Sequence, residues 1–305
     1  MSKRVLIIGA GGYVGTAVSK LLRAGGYQVA GLARSPEAEE RLESVGYDAE
    51  KGDLHDLEKL TEIADRYDGT IFTPTIQFNE EATVLRPLLD CYEGSGRVFI
   101  FTSGTGVLSI PSHQGEWREE TFAEDDPFTP MEWMTIRVET ENLVRGYAEK
   151  GVRGMVIRPP LIWGHGGSYQ IPGIFESAEK TGSACYVGRG LHLYSNVHVD
   201  DLADVYLKAI ERGVPGALYH AVAGEADFRQ IAEAVAQVLG CNTRSVDIKE
   251  ASEIWGPVIA RLLFGVSSRS RAVRSRAELG WSPRHLDMID DIRNGSYKEK
   301  YSPES

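Results

Sequence analysis

The most constraining feature of this sequence is a glycine-rich turn near its beginning. Residues 5–8 (Val-Leu-Ile-Ile) form an unbroken apolar run, which is typical of a strand buried on both faces of a parallel sheet. The turn, Gly-Ala-Gly-Gly-Tyr-Val-Gly at residues 9–15, follows directly. Apolar residues then recur at helical spacing as far as Leu22, and the pair Gly25-Gly26 ends that helix. The turn therefore joins a buried strand to an amphipathic helix.

Glycines at these positions suit a bound pyrophosphate. Gly9 permits a tight turn, Gly12 lets the backbone approach the phosphates, and Gly15 lets the helix pack close to the sheet. The N–H groups and the positive end of the helix would face the phosphates. A glycine-rich turn without a ligand is the alternative. We predict a dinucleotide site formed by Gly9, Gly11, Gly12, Tyr13, Val14 and Gly15.

The residues after the second predicted strand indicate which dinucleotide fits. A reader of NAD would have an acid there to bind the adenosine ribose, but this strand ends Ala33-Arg34-Ser35. The guanidinium of Arg34 and the hydroxyl of Ser35 suit the 2′-phosphate of NADP, although Arg34 could also be a solvated surface residue. Asp53 is placed to bind the adenine amino group, with Leu54 against the ring. NADP(H) is the predicted cofactor, and NAD(H) is less favoured.

Strands and helices alternate over the first half of the chain. Strands are predicted at 29–33, 70–73, 98–102 and 154–158, and long helices at 79–92 and 131–150. This alternation predicts an α/β fold, a Rossmann-type doubly wound parallel sheet with a smaller C-terminal substrate-binding part. We assign residues 1–160 to the Rossmann domain, with 191–224 contributing to it. Residues 161–190 and 225–305 form the predicted substrate-binding cap, and the polar tail from Tyr297 to Ser305 is predicted to be frayed.

Composition narrows the range of partners. The formal net charge of −11 argues against nucleic acid or an anionic membrane surface as a partner. No apolar run approaches the roughly 18 residues of a membrane span. Cys91, Cys185 and Cys241 are scattered without CxxC spacing, which favours a reducing compartment and no structural zinc. We expect a cytoplasmic protein with a small-molecule substrate.

Several short motifs occur in a characteristic order. They are Ile8–Gly15, Gly52-Asp53-Leu54, Thr102-Ser103-Gly104, Arg158-Pro159, Asn196–Asp201 and Leu279–Pro283. In this order they resemble the short-chain dehydrogenase/reductase superfamily in its extended NAD(P)-dependent epimerase/dehydratase form. The resemblance implies chemistry at the nicotinamide, and we place further cofactor contacts at Thr73, Thr102 and Pro159. Related proteins often dimerise through two long helices, so a homodimer is possible here.

The long helix departs from that family. Such enzymes have a Tyr-x-x-x-Lys pair, with a glutamate four residues after the lysine. Anchoring on Glu141 puts Arg137 in the place of the lysine and Trp133 in the place of the tyrosine. Arg137 can still bind nicotinamide-ribose hydroxyls, but its fixed charge cannot join a proton relay, and an indole is no acid. The chain resembles an atypical branch that lacks the usual proton donor. Alternatively, Arg137 and Glu141 form only an exposed ion pair.

Reduction of a carbonyl needs a proton donor near the developing alkoxide. The candidate catalytic residues are Ser103, Arg137, His165 and Tyr169. Ser103 would orient the carbonyl, and His165 or Tyr169, in the loop after Pro160, would supply the proton. For each of these a purely structural role is the alternative.

The predicted substrate pocket contains Ser103, Trp133, Trp163, Tyr194 and His198. A metal at His198 with Asp200 and Asp201 is not expected, because no third cluster of ligands is evident. The leading function is an NADP-dependent oxidoreductase acting on a small organic carbonyl or related group. The alternatives are an epimerase, dehydratase or isomerase that retains its NAD(P), and a catalytically silent NADP-sensing regulator.

Overall fold

The computed structural model describes residues 3–302. Its strands are β1 Arg4–Ile8, β2 Gln28–Ala33, β3 Asp48–Lys51, β4 Gly69–Phe72, β5 Val98–Thr102, β6 Ile110–Pro111, β7 Arg153–Arg158, β8 Leu161–Trp163, β9 Ser183–Val187, β10 Leu193–His198, β11 Leu218–His220, β12 Gly224–Asp227, β13 Asn242–Val246 and β14 Val266–Ser267. Its helices are α1 Tyr13–Ala24, α2 Pro36–Ser44, α3 Leu57–Ala64, α4 Phe78–Cys91, α5 Thr135–Gly146, α6 Gln170–Thr181, α7 Val199–Arg212, α8 Phe228–Leu239, α9 Ile248–Trp255, α10 Pro257–Ile259, α11 Val273–Leu279, α12 Met288–Asn294 and α13 Ser296–Tyr301.

Seven strands form one parallel sheet in the order β11-β7-β5-β4-β1-β2-β3. This confirms the predicted Rossmann-type fold. The strand order reverses between β1 and β4, since β2 and β3 extend the sheet on one side of β1 and the later strands extend it on the other. In open parallel sheets ligands bind beyond the carboxyl ends of the strands at such a reversal. The sheet therefore places the site at the end of β1.

Helices cover both faces of the sheet because the side chains of its strands alternate between them. On β1, Ile7 packs in one cluster with Val18 of α1 and Leu202 of α7, whereas Leu6 packs in another with Leu85 of α4 and Val144 of α5. Each fully buried aliphatic side chain of this kind stabilises the fold by about 1.5–3 kcal/mol.

The C-terminal part has a hydrophobic core of its own. A few of its residues belong instead to the cluster of Ile7, Val18 and Leu202 on the central sheet. Leu161, Phe175, Ile231, Phe264 and Tyr297 belong to the C-terminal cluster. Ala272, Leu279 and Trp281, although they are late in the chain, pack against the α1 and α7 face of the central sheet.

The long helix predicted over 131–150 is three shorter pieces. A 3₁₀ turn, Glu132–Met134, precedes α5, and a second 3₁₀ turn, Tyr147–Lys150, follows it. Apolar residues recur at helical spacing through all three pieces. A 3₁₀ turn at a helix end places side chains on nearly the same faces as an α-helix would, so the sequence pattern does not separate them.

The expectation of a frayed tail is wrong over residues 297–301, which belong to α13. Tyr297 is fully buried, and its hydroxyl accepts a hydrogen bond from the Gly164 N–H (3.1 Å) and donates one to the Gly167 carbonyl (2.7 Å). Tyr301 stacks on Phe175 with ring centroids 4.3 Å apart. These aromatic contacts hold the segment, which its polar composition concealed. The last three residues of the predicted tail lie outside the described residues.

Candidate active site

A groove follows the carboxyl ends of the central strands, and it consists of two adjoining cavities. The β2-side cavity, of about 470 Å³, lies beyond β2 and is lined by Arg34, Asp53 and Leu54 among others. The β5-side cavity, of about 420 Å³, lies beyond β5 and includes Ser103 and Arg137. Gly9, Pro74 and Thr75 line both cavities. The two cavities together therefore make one elongated groove that passes the glycine turn.

The glycine turn is too tight for side chains at two of its positions. Gly9 has a φ of +97°, and a β-carbon there would lie 2.6 Å from Thr73 Oγ1. A β-carbon at Gly15 would lie 2.0 Å from the Gly9 carbonyl oxygen. No side chain caps the start of α1, and the N–H groups of Tyr13 and Val14 have no acceptor within residues 3–302. This cradle of free N–H groups fits the pyrophosphate of a dinucleotide.

The polar side chains beyond the end of β2 differ in whether they hydrogen-bond to the protein. Arg34 is exposed and makes no hydrogen bond or ion pair with any other described residue. Ser35 Oγ instead accepts the Ala38 N–H (3.3 Å), so it caps α2 and does not line the cavity. Asp53 lines the cavity, and one of its oxygens also accepts the His55 N–H (2.9 Å).

Sequence reasoning missed part of the β2-side cavity. Its lining also includes His55, Gln77 and Glu80. His55 directly follows the Gly-Asp-Leu motif, and Gln77 and Glu80 lie at the start of α4 just after the end of β4. Their positions beside strand ends were a usable signal, but their residue types indicated no particular ligand.

The structure brings many of the predicted site residues together in the β5-side cavity. Its lining includes Gly9, Gly12, Tyr13, Val14, Gly15, Thr73, Ser103, Arg137, Pro159, Tyr169 and Tyr194. Ser103 is nearly buried, whereas Tyr169 is 71% exposed at the cavity mouth. Thr102 does not line the cavity, since its hydroxyl is 2.7 Å from the buried Tyr206 hydroxyl. Gly11 lines neither cavity, and no atom of residues 3–302 outside its own neighbours lies within 4 Å of where its β-carbon would be.

Arg137 is fixed at the base of the β5-side cavity. Its Nε donates to Ser103 Oγ (3.2 Å), and its Nη2 donates to the Thr102 carbonyl (3.1 Å). The same Nη2 lies 3.4 Å from Glu81 Oε1, and the guanidinium carbon lies 4.4 Å from the centre of the Phe78 ring. Nη1 has no hydrogen-bond partner among the described residues. Its two N–H groups are therefore free to bind a ligand.

The exposed ion pair considered for Arg137 and Glu141 does not form. Glu141 is buried and makes a bidentate pair with Arg158 of β7, with Nε donating to Oε1 at 2.9 Å. Arg137 pairs with Glu81 of α4 instead. Helical spacing correctly puts Arg137 and Glu141 on one side of α5, but it cannot show which cations and acids approach from other elements.

Burial raises the pKa of Glu81 from 4.5 to about 7, since Arg137, which lowers it, offsets this only in part and Glu141 raises it further. Its Oε2 is buried without a hydrogen-bond partner among the described residues. Glu81 therefore exchanges a proton near neutrality beside the fixed charge of Arg137.

The raised pKa of Glu81 makes stability depend on pH. The folded state holds the proton up to about pH 7, and the unfolded state releases it near 4.5, so this contribution to stability falls as the pH rises between those values. We expect Glu81→Gln to show a smaller loss of unfolding free energy than the parent between about pH 5 and about pH 8 in urea denaturation. Glu139→Gln, at an exposed position on α5, should behave like the parent. The same pH dependence in Glu81→Gln would contradict this assignment.

Two tyrosines that line the β5-side cavity have hydroxyl groups engaged by the protein and raised pKa values. The Tyr13 hydroxyl donates to the Gly164 carbonyl (2.7 Å), and burial raises the pKa of Tyr13 far above its usual value. Burial also raises the pKa of Tyr194, although bonds to Ser268, Ser109 and Thr105 oppose this. Neither phenol is suited to give up a proton readily, whereas Tyr169 is exposed.

Four further predicted residues lie outside the groove, in addition to Gly11, Ser35 and Thr102. Trp133 is half-exposed in the 3₁₀ turn before α5 and lines neither cavity. Trp163 is buried and donates to Asn196 Oδ1 (3.0 Å), because β8 directs its side chain into the C-terminal core. His198 packs against Trp163 with centroids 4.7 Å apart. His165 is exposed, with its Nε2 3.0 Å from Asp200 Oδ2.

His165 supplies a third potential ligand beside His198 and Asp200, which the sequence did not reveal. One ligand atom from each lies within 4.8 Å of the others. However, His198 Nδ1 accepts the Asp200 N–H (3.2 Å) and caps α7, which engages that lone pair and leaves the proton of the neutral ring on Nε2. Neither nitrogen of His198 can bind a metal while this cap is formed.

Comparison with known proteins identifies the family. Residues 5–222 match the model of the "NAD dependent epimerase/dehydratase family". The chain belongs to this family. The resemblance predicted from the motifs is thereby confirmed, and the chain is an enzyme of the short-chain dehydrogenase/reductase type. No helix within residues 3–302 combines the length and apolar character needed to cross a membrane.

Individual relatives align with most or nearly all of this chain. The chain is 31% identical to "Uncharacterized protein YLL056C" of Saccharomyces cerevisiae, covering 95% of this chain and 98% of that protein. It is 26% identical to the 2-alkyl-3-oxoalkanoate reductase of Stenotrophomonas maltophilia over 74% of this chain and 69% of that one. The structure of MoeE5 in complex with UDP-glucose and NAD has a TM-score of 0.75 at 16% identity, covering 97% and 98% of the chains. At this identity the last likeness concerns the fold.

Proposed function

We propose that this family member is an NADP-dependent reductase of a small carbonyl compound. The observation that supports this most is the position of Arg137 and Ser103, bonded to each other in the cavity that adjoins the glycine turn. The free Nη1 of Arg137 points to an electronegative acceptor group on the substrate. The 2-alkyl-3-oxoalkanoate reductase among the relatives favours the same reaction. When bound, NADPH supplies a hydride.

The roles of the residues follow from their hydrogen bonds. Ser103 Oγ accepts from Arg137 Nε, so its own hydroxyl hydrogen is free to donate to the carbonyl oxygen together with Arg137 Nη1. These two donors would stabilise the negative charge that develops on the carbonyl oxygen during its reduction. Arg137 does not release its proton, so the oxygen takes one from water or from the exposed Tyr169 hydroxyl.

A preference for NADP over NAD is supported by Arg34. Its guanidinium lines the β2-side cavity and has no partner among the described residues, and the N-terminus of α2 begins two residues later. A 2′-phosphate beside Arg34 would form charge-assisted hydrogen bonds. NAD has no charged group at this position.

Arg34→Ala should weaken NADPH binding about 10- to 100-fold, which corresponds to the loss of one or two charge-assisted hydrogen bonds. NADH affinity should stay nearly unchanged, because the Arg34 side chain makes no hydrogen bond or ion pair with the described residues that its removal would break. Calorimetric titration with each nucleotide measures both values. Arg41→Ala on α2 is the control and should leave both affinities unchanged. Equal losses for NADPH and NADH would contradict the 2′-phosphate assignment.

A second candidate is an epimerase or dehydratase that oxidises its substrate transiently and keeps its NAD(P). The family description favours it. The two functions differ in turnover, because a reductase consumes one NADPH for each product formed. A catalytically silent NADP-sensing protein would bind NADPH without consuming it. Measuring NADPH and product together separates the three.

A further inference from the structure

Apart from Arg137, the β5-side cavity is lined by uncharged residues, most of them apolar. Among described residues Arg137 is its one charged lining residue. The apolar lining includes Phe78, Met134, Pro160, Ile162, Leu262 and Leu263. A substrate there meets one charged corner, made by Arg137 and Ser103. The rest of the lining is uncharged and combines these apolar residues with polar ones, Tyr13, Thr73, Thr75, Ser168, Tyr169, Gln170 and Tyr194.

The charge of Arg137 is already balanced by the protein. Glu81 lies 3.4 Å from it, and the neighbouring Glu141 is paired with Arg158. Above about pH 7, where Glu81 is ionised, these four buried groups have no net charge. A phosphate or carboxylate in the cavity would therefore be an additional buried anion without its own counter-ion, which is strongly unfavourable. A neutral carbonyl avoids this cost.

One wall of the cavity comes from the C-terminal part. Leu262 and Leu263 belong to the π-helical turn Ala260–Phe264, which follows α10. A β-carbon placed on Gly106 would lie 3.5 Å from Met134 Cε and 3.9 Å from Leu262 Cδ1, so both side chains lie close to Gly106. The cavity of about 420 Å³ must also take the nicotinamide end of the cofactor, which leaves room for a small molecule.

We infer that the substrate is a small, uncharged and largely apolar aldehyde or ketone, and that Leu262 and Leu263 help to exclude charged compounds. The inference rests on the proposed reductase function. Nucleotide sugars, such as the UDP-glucose bound by MoeE5, do not fit this cavity well, because their diphosphate would meet one cation in the described lining, Arg137, whose charge Glu81 already offsets when it is ionised.

Three benzaldehydes test the inference, two of them para-substituted, and the ester and the carboxylate differ mainly in charge. Initial rates with NADPH are measured at about pH 8, where Glu81 is ionised, for benzaldehyde, methyl 4-formylbenzoate and 4-carboxybenzaldehyde. The ester controls for size. We expect kcat/KM for both neutral compounds to exceed that for the carboxylate by about tenfold or more, equivalent to about 1.4 kcal/mol. A carboxylate reduced as well as its ester would overturn the inference while leaving the reductase function intact.

Leu262→Arg tests the wall directly, since it adds a cation without altering Arg137 or Ser103. It should raise kcat/KM for 4-carboxybenzaldehyde relative to the methyl ester by about tenfold. Leu262→Met is the control, because it keeps an apolar side chain of similar volume and should keep the parent preference. An unchanged preference in Leu262→Arg would show that this wall does not select substrates.

Binding separates failure of the inference from failure of the proposed function. If no aldehyde is reduced, the reductase proposal fails, and saturation-transfer NMR of the NADP⁺ complex still compares the ester with the carboxylate. Binding of the ester alone supports the neutral, apolar cavity. Binding of both compounds, or of neither, overturns it.

Discussion

Replacing Arg137 by glutamine should lower kcat/KM for the carbonyl substrate by about 10²- to 10³-fold, the range found when one donor to a developing oxyanion is removed. Glutamine cannot supply the charge of Nη1, and it is too short to keep the bonds to both Ser103 and Thr102. The loss should fall mainly on kcat, because the negative charge on oxygen develops only in the transition state. Initial rates of NADPH oxidation, with Glu139→Gln on the same helix as control, measure it.

A fall in activity could also reflect damage to the fold, since Arg137→Gln leaves Glu81 buried without its cation. The double variant Arg137→Gln with Glu81→Gln removes both charges. It should recover much of any lost thermal stability and none of the lost activity. Near-parental kcat in the single variant would place the stabilising group elsewhere and contradict the proposed role of Arg137.

Gly15→Ala should abolish most of the affinity for NADPH, by about 100-fold or more, comparable to losing two or more charge-assisted hydrogen bonds. The new methyl group would lie 2.0 Å from the Gly9 carbonyl oxygen, so the turn must open and its N–H groups must move. Calorimetry with NADPH measures the loss, and a thermal melt reports the accompanying destabilisation.

Two other glycines serve as controls for Gly15→Ala. Gly146 lies at the end of α5, and no described atom lies within 4 Å of its β-carbon position. Gly146→Ala should therefore weaken neither NADPH binding nor the stability of the fold. Gly11→Ala also meets no protein atom and should leave the fold intact. Parental NADPH affinity in Gly15→Ala would show that no pyrophosphate rests in this turn.

The sequence revealed those features that depend on neighbouring residues. The glycine turn, the buried strand before it and the amphipathic helix after it are all encoded within residues 5–24, and the resulting fold is confirmed. Ser35 followed by Pro36 also has the local pattern of a helix start, and its hydroxyl accepts the Ala38 N–H, so it is not free for the 2′-phosphate predicted there. Local rules thus located the strand ends around which the groove is built.

Features that depend on distant pairing were not predictable. Glu81 meets Arg137 across two helices, and Glu141 meets Arg158 across a helix and a strand. Nothing in the spacing of these residues indicates which acid joins which arginine. The positions of Trp163 and His198 also depend on distant pairing. Strand β8 directs Trp163 into the C-terminal core, and β10, which pairs with β8, places His198 against Trp163.

The backbone of Gly164 is held from two sides. Its carbonyl accepts from Tyr13, at the start of the first helix, and its N–H donates to Tyr297, near the end of the chain. A shortened protein ending before Ser296, or one with a bulky fusion packed against α13, would lose the hydrogen bonds of Tyr297 with Gly164 and Gly167. The loop that precedes Tyr169 at the cavity mouth would then no longer be held in place. Helix α13 is thus needed to shape the cavity mouth, and shortened variants should retain it.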